Sequence, residues 1–105
     1  MDLKGRKLGL LLSAAPDQPN FGRAISLALA ALQRGVQVYF YCLDDAVAGL
    51  SDHRLQKLKV QGANLFACAY GAQRRNLSLG SLATFAGLST VNDLIANTDR
   101  FVSFN

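Results

Sequence analysis

Four short apolar runs, KLGLLLS, VQVYFYC, ANLFACA and RFVSF, recur along the chain with helix-like stretches between them. That alternation restricts the fold more than any other feature. A nearly unbroken apolar run suits a strand buried on both faces, as in a parallel sheet between helix layers, better than a strand with one wet face. The first run, Lys7 to Ser13, stops at Ala14-Ala15-Pro16. The second, Val36 to Cys42, is β-branched and aromatic and stops at Asp44-Asp45. The third, Ala63 to Ala69, carries Cys68, and the fourth runs from Arg100 to Phe104.

The connecting stretches read as helices with recognisable ends. Phe21, Ile25, Ala28/Leu29 and Leu32 recur at helical spacing, which predicts a helix from about Phe21 to Arg34, with Asn20 as N-cap and Gly35 as a left-handed C-terminal cap. Residues 13–20 ahead of it contain Pro16 and Pro19, which lack the N–H that a ladder or helix interior needs, so a loop is expected there. Ala46 to Leu50 suits a short helical turn. Ser51 or Asp52 can cap a further helix through Leu55 and Leu58 to about Gln61, closed by Gly62. Residues 70–87 show no clean period and predict turns with a short helix around Ala72 to Asn76. Ser89 or Thr90 can cap a last helix through Val91, Leu94 and Ile95, and Asp93 suits its N-terminal turn.

Strand, helix, strand, helix, strand, helix, strand is the order of a mostly parallel α/β sheet of four to five strands with helices on both faces and right-handed crossovers. The 105 residues fit one such domain, 1–105, with a core that needs no disulfide. No run approaches the ~18 apolar residues of a membrane span, and the short run after the basic N-terminal residues reads as a strand and not as a signal peptide. A reduced, cytoplasmic protein without membrane partners is expected. The two cysteines lie at positions 42 and 68 with a single histidine, His53, so no zinc-ligand spacing exists and no metal is expected. Net charge is +4, but the basic residues are scattered and show no stripe with stacking aromatics, which argues against nucleic-acid binding.

In open α/β sheets reactive groups gather outside the carboxyl ends of the strands. Residues 13–20, 42–45, 68–76 and whatever follows 104 are therefore where chemistry belongs. Cys68 ends the third strand. A thiol is a nucleophile only as thiolate, favoured by nearby cations or a helix N-terminus, and Arg74 and Arg75 are close enough in sequence to serve. A small thiol after Leu-Phe-Ala is equally ordinary core packing, and the residues alone leave both readings open. Cys42 also ends a strand, but Asp44 and Asp45 disfavour a thiolate there, so it reads as structural, with the role of a second, resolving thiol as the alternative. His53 reads as a solvated surface residue, and Asp44/Asp45 as turn and capping residues. Tyr39, Phe40 and Tyr41 read as core or subunit interface. The loop at 13–20 sits before a helix N-terminus, where anions bind, but it lacks both GxxxxGK[ST] and GxGxxG.

The stretches GANLFACAYGAQRRNLS and AGLSTVNDLIANTDRFVSF resemble the C-terminal half of the DsrE/DsrF-like superfamily, which includes the TusD-type sulfur-relay subunits. In that family a strand-end cysteine is followed by an Arg-Gly or Arg-Arg-Gly element, a glycine-leucine segment, a short helix and a closing Asp-Arg-hydrophobic strand. The matching positions are Cys68, Gln73 to Asn76, Ala86-Gly87-Leu88, Val91 to Ala96, and Asp99-Arg100-Phe101-Val102. DDAVAGL resembles the family's DGV neighbourhood, so the resemblance spans nearly the whole chain. Asn76 stands where the family often has glycine, and SAAPDQPN is a shorter first loop.

The resemblance implies a DsrE-like, flavodoxin-like three-layer domain that assembles into homo-trimers or hexamers. It further implies a sulfurtransferase-type role in which Cys68 carries sulfane sulfur as a persulfide between donor and acceptor proteins, with no cofactor or metal. Arg74 and Arg75 would then stabilise a thiolate, and Tyr70 and Gly71 would form the turn that a partner's cysteine approaches. Two alternatives remain: a non-catalytic oligomeric binding or scaffold protein of the same fold, and a small nucleotide or anion binder using the 13–20 loop.

Overall fold

The computed structural model describes residues 2–76 and 80–105. Its elements are β1 (Lys7–Leu12), α1 (Pro19–Gln33), β2 (Gln37–Cys42), α2 (Asp45–Ala48), α3 (His53–Val60), β3 (Asn64–Cys68), α4 (Ala69–Arg74), β4 (Thr84–Ala86), α5 (Ser89–Asn97) and β5 (Arg100–Phe104). The five strands form one sheet in the order β4-β3-β2-β1-β5, and every pairing is parallel. This is the α/β domain that the apolar runs predict.

Strand order explains why helix cover is unequal. The chain steps in one direction from β1 to β4, and right-handed crossovers put those helices on one face; the return to β5 puts α5 on the other. Alternation along each strand then sorts the side chains. Leu10, Leu12, Val38, Phe40, Cys42, Leu65 and Ala67 face α1 and α3 and are all buried. Phe21, Ala24, Ile25 and Ala28 of α1, with Leu55 and Leu58 of α3, close this layer. The opposite face carries Gly9, Leu11, Tyr39, Tyr41, Phe66 and Cys68, and there Leu11, Tyr39 and Phe66 are only half-buried. A Cβ on Gly9 would come within 2.6 Å of the Phe101 ring and 3.2 Å of Thr98 Oγ1, so glycine is what lets the end of α5 lie against β1.

Both long crossover helices stop as their glycines predict. Gly35 has φ of +80°, and the Val36 N–H donates to Ala31 O at 3.0 Å across it. Gly62 has φ of +114°, and the Ala63 N–H likewise donates to Leu58 O at 3.2 Å. This is the bond that closes a helix over a left-handed residue.

Several boundaries differ from the expectation. α1 begins at Pro19 with Gln18 at the N-cap, so Asn20 lies inside the helix and the loop ends before Pro19. Proline is favoured at a first helical position, where its missing N–H would be unpaired anyway. α5 likewise has Leu88 at its N-cap position, and Ser89 and Thr90 lie within it. The region expected to be turns holds an additional parallel strand, β4, whose three residues are too few to show an alternation in sequence. α4 follows Cys68 directly and ends at Arg74, earlier than the 72–76 span expected. Leu77, Ser78 and Leu79, expected as turn, lie outside the described residues. Among the described residues, no helix is long and apolar enough to cross a membrane.

Candidate functional site

Cys68 is the last residue of β3 and the N-cap of α4, so the chain passes from strand to helix at the thiol itself. Its Sγ accepts a hydrogen bond from the Gly71 N–H at 3.4 Å, taking up one of the donors a helix start leaves without a backbone acceptor. A Cβ added at Gly71 would meet Val47 Cγ2 at 3.4 Å and Cys68 Cβ at 3.6 Å, ordinary van der Waals contact.

A second polar group reaches the sulfur from β2. Tyr41 and Cys68 share the half-open face, and Tyr41 pairs in register with Phe66, two residues before Cys68. The Tyr41 hydroxyl spans β3 and donates to Ala86 O of β4 at 2.9 Å, and Ala86 is the register partner of Cys68. The same hydroxyl lies beside Cys68, with its proton committed to Ala86 O. Burial first, and then the Cys68 charge, raise the phenol well above its usual range, so Tyr41 remains an O–H donor throughout the physiological range. Sequence reasoning placed Tyr41 in the core or an interface and missed this contact, because it depends on strand register between residues far apart in the chain.

The two arginines of the expected site turn elsewhere. The Arg75 guanidinium folds back along α4, donating from Nη1 to Gly71 O at 3.3 Å and pairing through Nη2 with Asp45 at 3.5 Å. Arg74 stacks over the Tyr70 ring, 5.8 Å from its centroid, and Tyr70 is 67% exposed. Tyr70, Gly71 and Arg74 lie in the short helix that Cys68 caps, and Arg75 is its C-cap; the hydrogen bond to the sulfur comes from the Gly71 backbone. Cys68 is only 4% exposed.

Asp45 reaches Arg75 through a tight turn at the end of β2. The Ala46 N–H donates to Leu43 O at 3.1 Å around Asp44, whose φ of 52° and ψ of −126° belong to a turn position that normally favours glycine. Asn76, at φ of 54°, ends α4 in the left-handed region that asparagine and glycine share. That shared preference accounts for an asparagine where the resembling family has glycine.

Cys42 and His53 are not brought to Cys68. Cys42 pairs in register with Ala67, so its side chain points to the opposite face of the sheet from Cys68. It is fully buried there, and burial pushes its thiol up to about 12. His53 is exposed at the start of α3, the helix covering that same sealed face. The 13–20 loop is engaged by the residue after β5. Ser13 Oγ donates to Asn105 Oδ1 at 3.1 Å, and Asn20 Nδ2 donates to Asn105 O at 2.8 Å.

No protein-family model matches the sequence, and no curated protein matches it significantly. Solved structures do. The fold is similar to that of the YchN protein from E. coli. That crystal structure superposes with a TM-score of 0.80 over 94% of this chain and 99% of YchN, at 16% sequence identity. At that identity the likeness concerns the architecture: a single α/β domain with one parallel sheet.

Proposed function

We propose that this protein is a cytoplasmic sulfur-relay protein of the DsrE-like kind, carrying sulfane sulfur as a persulfide on Cys68. The observation that carries the reading is a strand-end sulfur that accepts the Gly71 N–H at the start of α4, with the Tyr41 hydroxyl beside it. A backbone N–H aimed at the sulfur can hold charge that develops there during exchange. The sequence resemblance around Cys68 and the shared architecture with YchN support it further.

The chemistry is one exchange run in both directions. The Cys68 thiolate attacks the outer sulfur of a donor persulfide, R–S–SH; a new S–S bond forms, the donor's S–S bond breaks, and R–S⁻ leaves. An acceptor thiolate then attacks the outer sulfur of Cys68–S–SH and restores the Cys68 thiolate. Electrons balance within the exchange, so neither cofactor nor metal is required. Gly71 N–H holds the negative charge on Cys68 before attack and after release, while Tyr70 and Arg74 of α4, with Arg75 at its end, present the surface that donor and acceptor proteins meet. With Cys68 4% exposed, transfer requires the site to open. The half-buried Leu11, Tyr39 and Phe66, with exposed Leu88 at the N-cap of α5 and Ile95 within it, support assembly into a homo-trimer or hexamer through the less covered face.

The 4% exposure of Cys68 favours a second reading, an oligomeric scaffold of the same fold in which the thiol is packing. Incubation with a small-molecule persulfide followed by intact mass separates the two. The relay reading expects one added sulfur, about 32 Da, on wild type and none on Cys68→Ala. No adduct on wild type, or an adduct that survives in Cys68→Ala, leaves the scaffold.

A further inference from the structure

At the other end of the sheet from Cys68, where β1 and β5 begin, lies a cavity of about 520 Å³. Leu8, Leu27 and Val36 give it an apolar floor, and Ala30 and Ala31 of α1 contribute only methyl groups, which leaves the space open. Leu27 is 38% exposed, an uncovered leucine beside a hollow.

The rim is basic. Arg6 and Lys7 enter from the start of β1, Arg34 from the end of α1 and Arg100 from the start of β5. Asp99 is the single carboxylate on the lining. It is already engaged: the Lys7 N–H donates to it at 2.7 Å and Arg6 pairs with it at 3.5 Å, and that backbone bond, aided by Arg6, holds it below the usual carboxylate range. Among the described residues, the side chains of Lys7 and Arg34 make no ion pair. Three chain segments thus place uncompensated positive charge around an apolar hollow.

Charge alone would suit any anion, and the floor alone any hydrocarbon. An inorganic anion would leave the leucines wet, and a neutral lipid would leave the cations uncompensated. The volume falls within the ~300–1,000 Å³ of pockets that hold small organic ligands. We propose that this cavity binds a small amphipathic anion, a carboxylate or phosphate monoester on an aliphatic chain. Its head sits among Lys7, Arg34 and Arg100, and its tail lies on Leu8, Leu27 and Val36. The proposal is independent of any role for Cys68.

The test is an NMR titration of the full chain with octanoate and octyl phosphate, beside 1-octanol and inorganic phosphate. Either amphipathic anion should give saturable shifts at the amides of Leu8, Leu27 and Arg34, with the two controls at least about tenfold weaker. Arg34→Glu, at an exposed helix end, should weaken binding about tenfold, whereas Lys57→Glu, away from the cavity, should leave it unchanged. Added salt should weaken it as well. Absence of saturable shifts with both anions, equal binding of octanol, or insensitivity to Arg34→Glu would overturn the assignment.

Discussion

Cys42 and Cys68 are almost equally hidden, 0% and 4% exposed, yet the sheet gives them opposite surroundings. Cys42 points into the layer sealed by α1 and α3, where burial alone acts on its thiol and pushes it up to about 12. Cys68 points to the face covered less fully and meets a backbone N–H and a phenol hydroxyl. Solvent exposure would not tell these two residues apart. The polar groups within reach do, and they follow from which face of the sheet each residue occupies.

The largest expected effect concerns the two faces. Phe40 is fully buried on the sealed face and Phe66 half-buried on the other. Phe40→Ala should cost about 3–5 kcal/mol and Phe66→Ala about 1–2 kcal/mol, read from urea unfolding midpoints. Equal losses would mean that the two faces are equally covered in solution, as an assembled protein would have them.

Serine substitutions sharpen the contrast between the thiols. Cys42→Ser buries a hydroxyl among hydrocarbon and should cost about 1–3 kcal/mol. Cys68→Ser places a good N-cap residue where the Gly71 N–H already points, so its cost should stay within about 1 kcal/mol. If both cost the same, the Gly71 N–H contributes nothing at the thiol.

The smallest effect belongs to α3, which helps seal the Cys42 face. Asp52 caps this helix through the Arg54 N–H at 2.9 Å, and the Arg54 side chain, hydrogen-bonding the same carboxylate, holds it below the usual range. A depressed folded value means that the stabilisation is complete above the unfolded carboxylate range and is lost as pH falls through the folded value. Asp52→Asn keeps a cap but removes that charge. Thermal melts from ~pH 6 down to ~pH 2 should therefore show the variant and wild type converging in acid. A constant gap at every pH would assign the helix end to capping alone.

The architecture was legible because its signals are local. The four apolar runs and the two helix-ending glycines each declare themselves within a few residues, and Cys68 at a strand end follows from one of those runs. β4 was not legible: three residues are too short for a period, and their strand character comes from pairing with β3. The surroundings of Cys68 were legible only in part. Arg74 and Arg75 adjoin it in sequence, but stacking on Tyr70 and pairing with Asp45 decide where their charges go. Tyr41 and the basic cavity depend on register and strand order, which bring together residues as distant as Arg6, Arg34 and Arg100.

Pulse alkylation of the native chain with iodoacetamide, read peptide by peptide by mass, bears most directly on the claim that Cys68 is the reactive thiol. Modification of Cys68 is expected to be at least about tenfold faster than that of Cys42. Equal rates at the two cysteines, or modification of Cys68 only once the chain unfolds, would contradict it.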